Sequence, residues 1–169
     1  MAITRRITPC LWFASQAEDA VAFWTGIFPN SRITATTRYG DAGQEIHGQA
    51  PGSMMTIAFE LDGCGFTALN GGPAFTFNEA ISLQVQCADQ AEIDYYWEKL
   101  GEGGDPAAQV CGWLKDRYGV SWQVIPDFLD ELFADHASEA TRRGMEALLK
   151  MQKLDIAELR RAVAGADER

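Results

Sequence analysis

The sequence predicts an α+β protein made of two tandem copies of one β-α-β-β-β unit, followed by extra C-terminal helices. The main observation is an internal repeat. A strand-like segment lies at residues 7–13 and another at residues 81–85. Each is followed by the sequence Gln-Ala-Glu and then by a pair of aromatic residues. Such repetition indicates copies of one supersecondary unit. The predicted boundaries are a domain at residues 1–126, its repeats at about 5–73 and 78–126, and a helical extension at 127–169.

The first repeat shows each element of the unit in order. Apolar residues alternate over residues 7–13, which indicates a strand, and follow a helical period over 17–28, which indicates an amphipathic helix. We expect this helix to begin after a Ser15 N-cap and to end at Pro29. The remaining elements are a Thr- and Ile-rich strand at 31–39, a glycine-rich loop at 40–53, and a hairpin of 54–61 and 65–69 across Asp62-Gly63.

The second repeat follows the same order with one gap. Its predicted elements are strands at residues 80–86, 110–116 and 121–125 and a helix at 90–100. Glycine and proline dominate residues 101–106, so a strand equivalent to 31–39 must be short or shifted.

Three further helices are predicted after Pro126, at residues 127–133, 138–151 and 155–164. Asp155 with Glu158 forms a capping-box-like start for the last helix, and Gly165 is a suitable stop. Apolar faces on the last two helices need a surface to cover, either on this domain or on a partner subunit.

Composition narrows the functional classes. The chain has 169 residues, 47% hydrophobic and 22% charged, with a formal net charge of −10. Nucleic acids and anionic membranes require a basic face, so we expect neither as a partner. No apolar run approaches the roughly 20 residues of a spanning helix, and the N-terminus does not resemble a signal peptide, so we expect a cytoplasmic protein. The four cysteines are widely spaced, which predicts reduced and mostly buried thiols rather than a metal or redox pair.

Three longer strings carry a family resemblance. Residues 7–13 (ITPCLWF), 66–73 (FTALNGGP) and 111–123 (CGWLKDRYGVSWQ) resemble the PhnB-like branch of the vicinal oxygen chelate superfamily, which includes glyoxalase, bleomycin-resistance proteins and dihydroxybiphenyl dioxygenase. Members of this branch are often labelled 3-demethylubiquinone-9 3-methyltransferase. The resemblance extends over residues 5–161. It implies eight strands in a curved mixed sheet, with helices on the outer face and a cleft on the inner one.

Strand parity then predicts which residues face the cleft. In the first strand Ile7, Leu11 and Phe13 should meet the helix, which leaves the alternate residues Thr8, Cys10 and Trp12 inward. In the repeat, residues 81, 83 and 85 should meet the helix. The expected inward residues there are Ala80, Ser82 and Gln84; the superfamily register adds Ala68, Asn70, Ser121 and Gln123.

Metal-dependent members of the superfamily bind one divalent ion with His, Gln or Glu from four strands. The matching positions here are Thr8, Asn70, Ala80 and Gln123, and only Gln123 is a ligand type used there. Neutral amides alone rarely hold a divalent metal ion. We therefore predict no metal ligands and no cofactor.

Other catalytic signals are weak. The sequence has no nucleophile elbow, phosphate-binding loop or His-Glu-x-x-His motif. It also lacks the Gly-x-Gly-like strand-to-helix turn that the commonest S-adenosylmethionine enzymes use, so the methyltransferase label has no support from a motif. Cys10 is a candidate nucleophile only beside a cation, and its strand offers none.

The candidate ligand-binding residues are Cys10, Trp12, Asn70, Gln84, Trp113, Lys115 and Gln123. They predict a small-molecule-binding protein that works without a metal, with catalytic residues unknown. The alternatives are an enzyme of the same superfamily, whether methyltransferase-like or a metal-dependent lyase, isomerase or dioxygenase, and a structural dimer whose aromatic residues fill the cleft. Substitution of Gln123 and Asn70 would discriminate between binding and catalysis. A binding protein should lose affinity, whereas an enzyme should lose turnover with affinity partly kept. The superfamily's pairing of such units predicts a homodimer.

Overall fold

The structure is a computed structural model that describes residues 6–165. Within these residues, the chain forms seven strands and six α-helices in two compact units, one ending at Phe77 and one beginning at Asn78. The elements of the first unit are β1 (Cys10–Phe13), α1 (Ala17–Ile27), β2 (Arg32–Arg38), α2 (Gln44–His47), β3 (Met54–Leu61) and β4 (Cys64–Asn70). Those of the second are β5 (Leu83–Cys87), α3 (Gln90–Gly101), β6 (Trp113–Lys115), β7 (Ser121–Pro126), α4 (Leu129–Leu132), α5 (Glu139–Leu148) and α6 (Ile156–Ala164).

The first unit is a four-stranded sheet in the order β1-β4-β3-β2 with α1 against one face. β1 runs parallel to β4, and the other neighbours are antiparallel. Trp24 of α1 is fully buried and stacks on Phe59 of β3, with ring centroids 6.0 Å apart. Since a buried aromatic side chain removes 150–250 Å² from water, this contact anchors the helix on the sheet.

The second unit has a three-stranded sheet in the order β5-β7-β6, with β5 parallel to β7 and β6 antiparallel to it. In place of a strand equivalent to β2, the described chain forms a 3₁₀ turn at Pro106–Ala108 and a reversal at Cys111 and Gly112. Both of these residues have positive φ, 51° and 81°. A Cβ on Gly112 would lie 3.0 Å from the Val124 carbonyl oxygen, so a glycine is needed there.

The C-terminal helices pack on their own unit. Their apolar residues join β7 in one buried cluster: Ile125, Leu148, Met151, Leu154 and Leu159. The segment between α5 and α6 is also tied by backbone hydrogen bonds, because Cys111 N donates to Met151 O at 2.8 Å and Gly112 N donates to Gln152 O at 2.8 Å. The sequence left open whether these helices cover this domain or a partner subunit. The apolar cluster shows that they cover a surface of this domain.

The α+β prediction is confirmed, whereas several element boundaries were wrong. Eight strands were expected and seven are present in residues 6–165. β1 begins at Cys10 and β5 at Leu83, so Ile7 and Ile81 lie outside the strands and are 89% and 62% exposed rather than packed on a helix. In the first case the pairing of β1 with β4 ends at Cys10 although β4 continues to Cys64, and the residue before Cys10 is Pro9, which has no N–H to donate to a ladder. The predicted loop at residues 40–53 contains the short helix α2.

Two local predictions also need correction. The N-cap of α1 is Gln16, not Ser15, and no side chain caps the helix from that position. Thiols were expected to be mostly buried, yet all four cysteines are free and only Cys87 is buried; Cys10 and Cys64 are exposed.

Candidate functional site

A cavity of about 740 Å³ lies within the second unit, between its sheet and the C-terminal helices. This volume is in the range of small-molecule sites. Fifteen residues line it, and eleven of them are apolar. The lining residues are Glu79, Ala108, Val110, Cys111, Trp113, Leu114, Lys115, Ser121, Gln123, Ile125, Leu129, Phe133, Met145, Leu148 and Leu149. The predicted site residues Trp113, Lys115 and Gln123 therefore share one cavity.

Asp116 holds the two strands that carry the polar lining in register. It is 2% exposed, and its Oδ1 accepts from Tyr118 N at 2.9 Å and Val120 N at 3.0 Å, while Oδ2 accepts from Trp122 Nε1 at 2.9 Å. These bonds close the tight turn between β6 and β7, where Gly119 has a φ of 84°. A buried carboxylate with three donors is well satisfied. The Asp in the 111–123 string is thus a turn anchor that places the cavity residues.

Alternation along β7 gives the cavity its polarity. Ser121, Gln123 and Ile125 line it, whereas Trp122 and Val124 point to the other face and are buried. At about 3.3 Å per residue, Ser121 and Ile125 are about 13 Å apart. Ile125 belongs to the apolar cluster with the C-terminal helices. One end of the cavity is therefore polar and the other apolar.

Three residues define the polar end. Lys115 is paired with Ser121 across the β6–β7 ladder, and its ammonium forms an ion pair with Glu79. The hydrogen bond from Lys115 holds the pKa of the Glu79 carboxyl below its usual value. The Ser121 hydroxyl is buried, with the residue 2% exposed, and has no hydrogen-bond partner in the described chain. Such a group costs about 1–3 kcal/mol when left unsatisfied.

Gln123 and Gln84 were expected to be buried amides in need of partners. Gln84 is instead exposed, and the two amides satisfy each other: Gln84 Nε2 donates to Gln123 Oε1 at 3.3 Å. Gln123 Nε2 donates to Ser82 Oγ at 2.7 Å. Gln84 supports the cavity through Gln123 but is not among the lining residues.

Sequence reasoning missed the third of the cavity wall that follows β7 in the chain. Leu129, Phe133, Met145, Leu148 and Leu149 come from the C-terminal helices. The sequence did show apolar faces on the C-terminal helices. A sequence pattern, however, does not identify the surface that those faces cover. Glu79 had no signal at all, because it lies in an irregular segment before β5.

Cys10 and Trp12 belong to the first unit and do not line this cavity. Both lie on the sheet face opposite α1, as parity predicted; Cys10 is exposed and Trp12 half-buried. The indole Nε1 donates to Gly72 O at 2.8 Å, and the ring packs edge-on to Phe75 at 5.0 Å. A Cβ on Gly71 would lie 2.3 Å from the Trp12 ring, so the Gly-Gly pair makes room for this indole.

Asn70 and Ala68 do not face the open side of the sheet, contrary to prediction. They pair in register with Phe13 and Leu11, which are buried against α1. Asn70 Oδ1 accepts from Ala17 N at 2.9 Å, and its Nδ2 donates to Met54 O at 3.2 Å. The Asn70 amide therefore caps the first turn of α1. The expected register was shifted by one residue, which exchanges the two faces.

The positions that match the superfamily's metal ligands do not fit a divalent ion. Both amide atoms of Gln123 are occupied by side chains, and the Asn70 oxygen is occupied by a helix N–H. Ala80 has no ligand atom. Among residues 6–165, no group of three or more His, Cys, Asp or Glu side chains is placed to hold a metal ion.

The chain is similar to a putative 3-demethylubiquinone-9 3-methyltransferase, PhnB protein, from Bacillus cereus, with 34% identity, 72% of this chain and 99% of that chain covered, and a TM-score of 0.60. The fosfomycin resistance protein FosX from Listeria monocytogenes shares the fold at 16% identity, with 77% and 98% covered and a TM-score of 0.50. A Pseudomonas aeruginosa protein matches at 20% identity, 73% and 98% coverage and a TM-score of 0.55.

These neighbours confirm a glyoxalase/bleomycin-resistance-like fold of the vicinal oxygen chelate superfamily. Within that class, the family model described as 3-demethylubiquinone-9 3-methyltransferase matches residues 5–125. The chain belongs to this PhnB-like family. The comparison with curated proteins gave no match.

Proposed function

We propose that the protein binds an amphipathic small molecule in the cavity of its second unit. The observation that carries the proposal is the cavity itself, about 740 Å³ with a polar end at Ser121 and an apolar end at Ile125. The aromatic side chains do not fill it, which argues against a purely structural role. The proposal assigns the cavity no reaction.

Titration with Nile red, a neutral apolar dye, tests this proposal. We expect saturable fluorescence enhancement that Leu149→Ala weakens by about fivefold, because Leu149 lines the cavity and loses contact area. Leu149 is 61% exposed, so the variant should fold. Ile46→Ala is the matched control: Ile46 is 86% exposed in the first unit and should not affect binding. Absence of saturable binding, or equal effects of both variants, would contradict the proposal.

The family description names a methyltransferase, so catalysis in the same cavity is the second candidate function. Incubation with an amphipathic ligand and S-adenosylmethionine as the methyl donor, followed by mass spectrometry, separates the two functions. A binding protein returns the ligand unchanged, whereas a methyltransferase returns it with the mass of an added methyl group. An altered mass would replace binding with catalysis as the function of the cavity.

We also propose that the protein is a cytoplasmic homodimer. Support comes from apolar side chains left exposed in the described chain, among them Ile33 on the edge strand β2. Four free cysteines suit a reducing compartment. No helix within residues 6–165 is long and apolar enough to cross a membrane. Analytical ultracentrifugation at micromolar concentration should give twice the mass of the chain, and a monomer would contradict the dimer.

A further inference from the structure

We infer that the ligand of this cavity is an amphipathic anion whose carboxylate-like head binds Lys115 and Ser121 by displacing Glu79. The inference rests on the proposed function, since it names the class of ligand for the same cavity. It is carried by three side chains at the polar end of the cavity, each with a different degree of burial.

Lys115 is the fixed member of the ion pair. It lies on β6, with 25% of its side chain exposed, and is held in register with Ser121 by the β6–β7 ladder. With three quarters of the Lys115 side chain buried, its charge is costly without an anion beside it. Any ligand that enters the polar end must therefore leave this charge paired.

Glu79 is the replaceable member. It lies in an irregular segment between β4 and β5, and 61% of its side chain is exposed. Solvent can therefore take up its carboxylate when it leaves Lys115. Exchange of one carboxylate for another keeps the ammonium paired, whereas a cationic ligand would have to displace a residue held by a strand.

Ser121 supplies the second contact. Its hydroxyl lies beside Lys115 on the cavity face of β7 and has no partner in the described chain, although a serine hydroxyl can donate one hydrogen bond. A ligand oxygen that replaces the Glu79 carboxylate would accept from both groups. Hydrogen bonds to a charged acceptor are about twice as strong as neutral ones. The unsatisfied hydroxyl would thereby gain a partner only in the complex.

The apolar end of the cavity determines the length and the apolar character of the ligand's tail. About 13 Å separate Ser121 from Ile125 along β7. An unbranched acid of about ten carbons matches this length, and its tail would lie against Ile125, Leu148 and Leu149.

Displacement of Nile red by decanoic acid, decanamide and decylamine at pH 8 tests the inference. We expect the acid to bind about tenfold more tightly than the amide, and the amine to bind most weakly. Glu79→Gln should raise the affinity for the acid several-fold, since it removes the competing carboxylate. Lys115→Met should abolish the preference for the acid, and Ser121→Ala should reduce it.

Lys153→Met is the matched control, because Lys153 forms an ion pair with Asp94 away from the cavity. It should leave all three affinities unchanged. Equal binding of acid and amide by the wild type, or a lower affinity for the acid in Glu79→Gln, would overturn the inference while Nile red binding still supports the cavity. Loss of saturable Nile red binding in the wild type would instead overturn the proposed function.

Discussion

Asn70 shows how one residue can be structural where its position in a motif suggests a ligand contact. It is 5% exposed at the end of β4 and accepts from the first residue of α1, while its amide nitrogen donates to Met54 O and, at 3.5 Å, to Glu18. Helices leave their first N–H groups unsatisfied, so this cap supplies a partner that the helix's own N-cap residue does not.

Replacement of Asn70 by alanine should therefore lower stability rather than ligand affinity. We expect Asn70→Ala to reduce the free energy of unfolding by about 1–3 kcal/mol, because buried partners are left without hydrogen bonds. Urea denaturation measures this loss. Gln152→Ala, at an exposed amide side chain, should change it by less than about 0.5 kcal/mol. Unchanged stability together with weakened ligand binding would restore Asn70 to the site.

Cys87 differs from the other thiols in its reactivity. Burial raises the pKa of its thiol to about 12, with Glu92, Asp89 and Asp127 adding negative charge nearby. Since the thiolate is the reactive form, about one Cys87 in ten thousand would be ionised at pH 8.

Alkylation with iodoacetamide at pH 8, followed by peptide mapping, should modify the exposed Cys10 and Cys64 first and leave Cys87 unmodified in the folded protein. In a denaturant all four thiols should react, because unfolding returns Cys87 to an ordinary pKa. Rapid modification of Cys87 in the native state would show that β5 is more accessible than the structure indicates.

At the scale of elements, the C-terminal helices are bound to the second unit by polar contacts as well as by the apolar cluster. The Gln90 side chain, at the start of α3, donates to Leu154 O at 3.1 Å and accepts from Ile156 N at 2.9 Å. Arg143 of α5 donates to Ala162 O at 2.9 Å and Val163 O at 2.8 Å, at the end of α6. Both ends of α6 are thus held by distant side chains.

These contacts predict that α6 contributes strongly to stability. Leu159→Ala should lower the free energy of unfolding by about 2–5 kcal/mol, because Leu159 is fully buried in the cluster and its truncation leaves a cavity. Leu149→Ala serves as the control at a side chain that is 61% exposed and should cost less than about 0.5 kcal/mol. Thermal or urea denaturation gives both values, and similar costs for the two variants would argue that α6 is not packed on the unit.

At the scale of the whole molecule, charge is unbalanced, with 24 acidic against 14 basic Lys and Arg residues. Self-repulsion of a net charge of −10 opposes the compact state. The ion pairs of Arg142 with Glu139 and Glu146 are largely exposed and contribute little.

Screening should therefore stabilise the protein. An increase in NaCl from about 10 to about 150 mM shortens the screening length from about 30 to about 8 Å. We expect the melting temperature at pH 8 to rise by about 2–4 °C, which corresponds to about 1 kcal/mol for a chain of this size. The rise should shrink at pH 5, where carboxylates begin to protonate. A fall at pH 8 would mean that the surface ion pairs outweigh the repulsion.

Local periodicity and turn chemistry were enough to predict the α+β class and most elements, and three longer sequence strings were enough to predict the family. The hairpin at Asp62-Gly63 is an example: both residues have positive φ, 43° and 75°, as the tight turn predicts. The same local rules identified Asp155 as the N-cap of α6 and Gly165 as its stop. Of the residues predicted from the sequence for the cleft, Trp113, Lys115 and Gln123 line one cavity.

The register of β4, the position of Glu79 and the surface that the C-terminal helices cover could not be predicted from the sequence. Each of these depends on contacts between residues far apart in the chain. A one-residue change in register moves Asn70 from one face of the sheet to the other without altering its local pattern. Likewise, an apolar helix face records that something is buried, but the partner, here Ile125 on β7, is selected by packing in three dimensions.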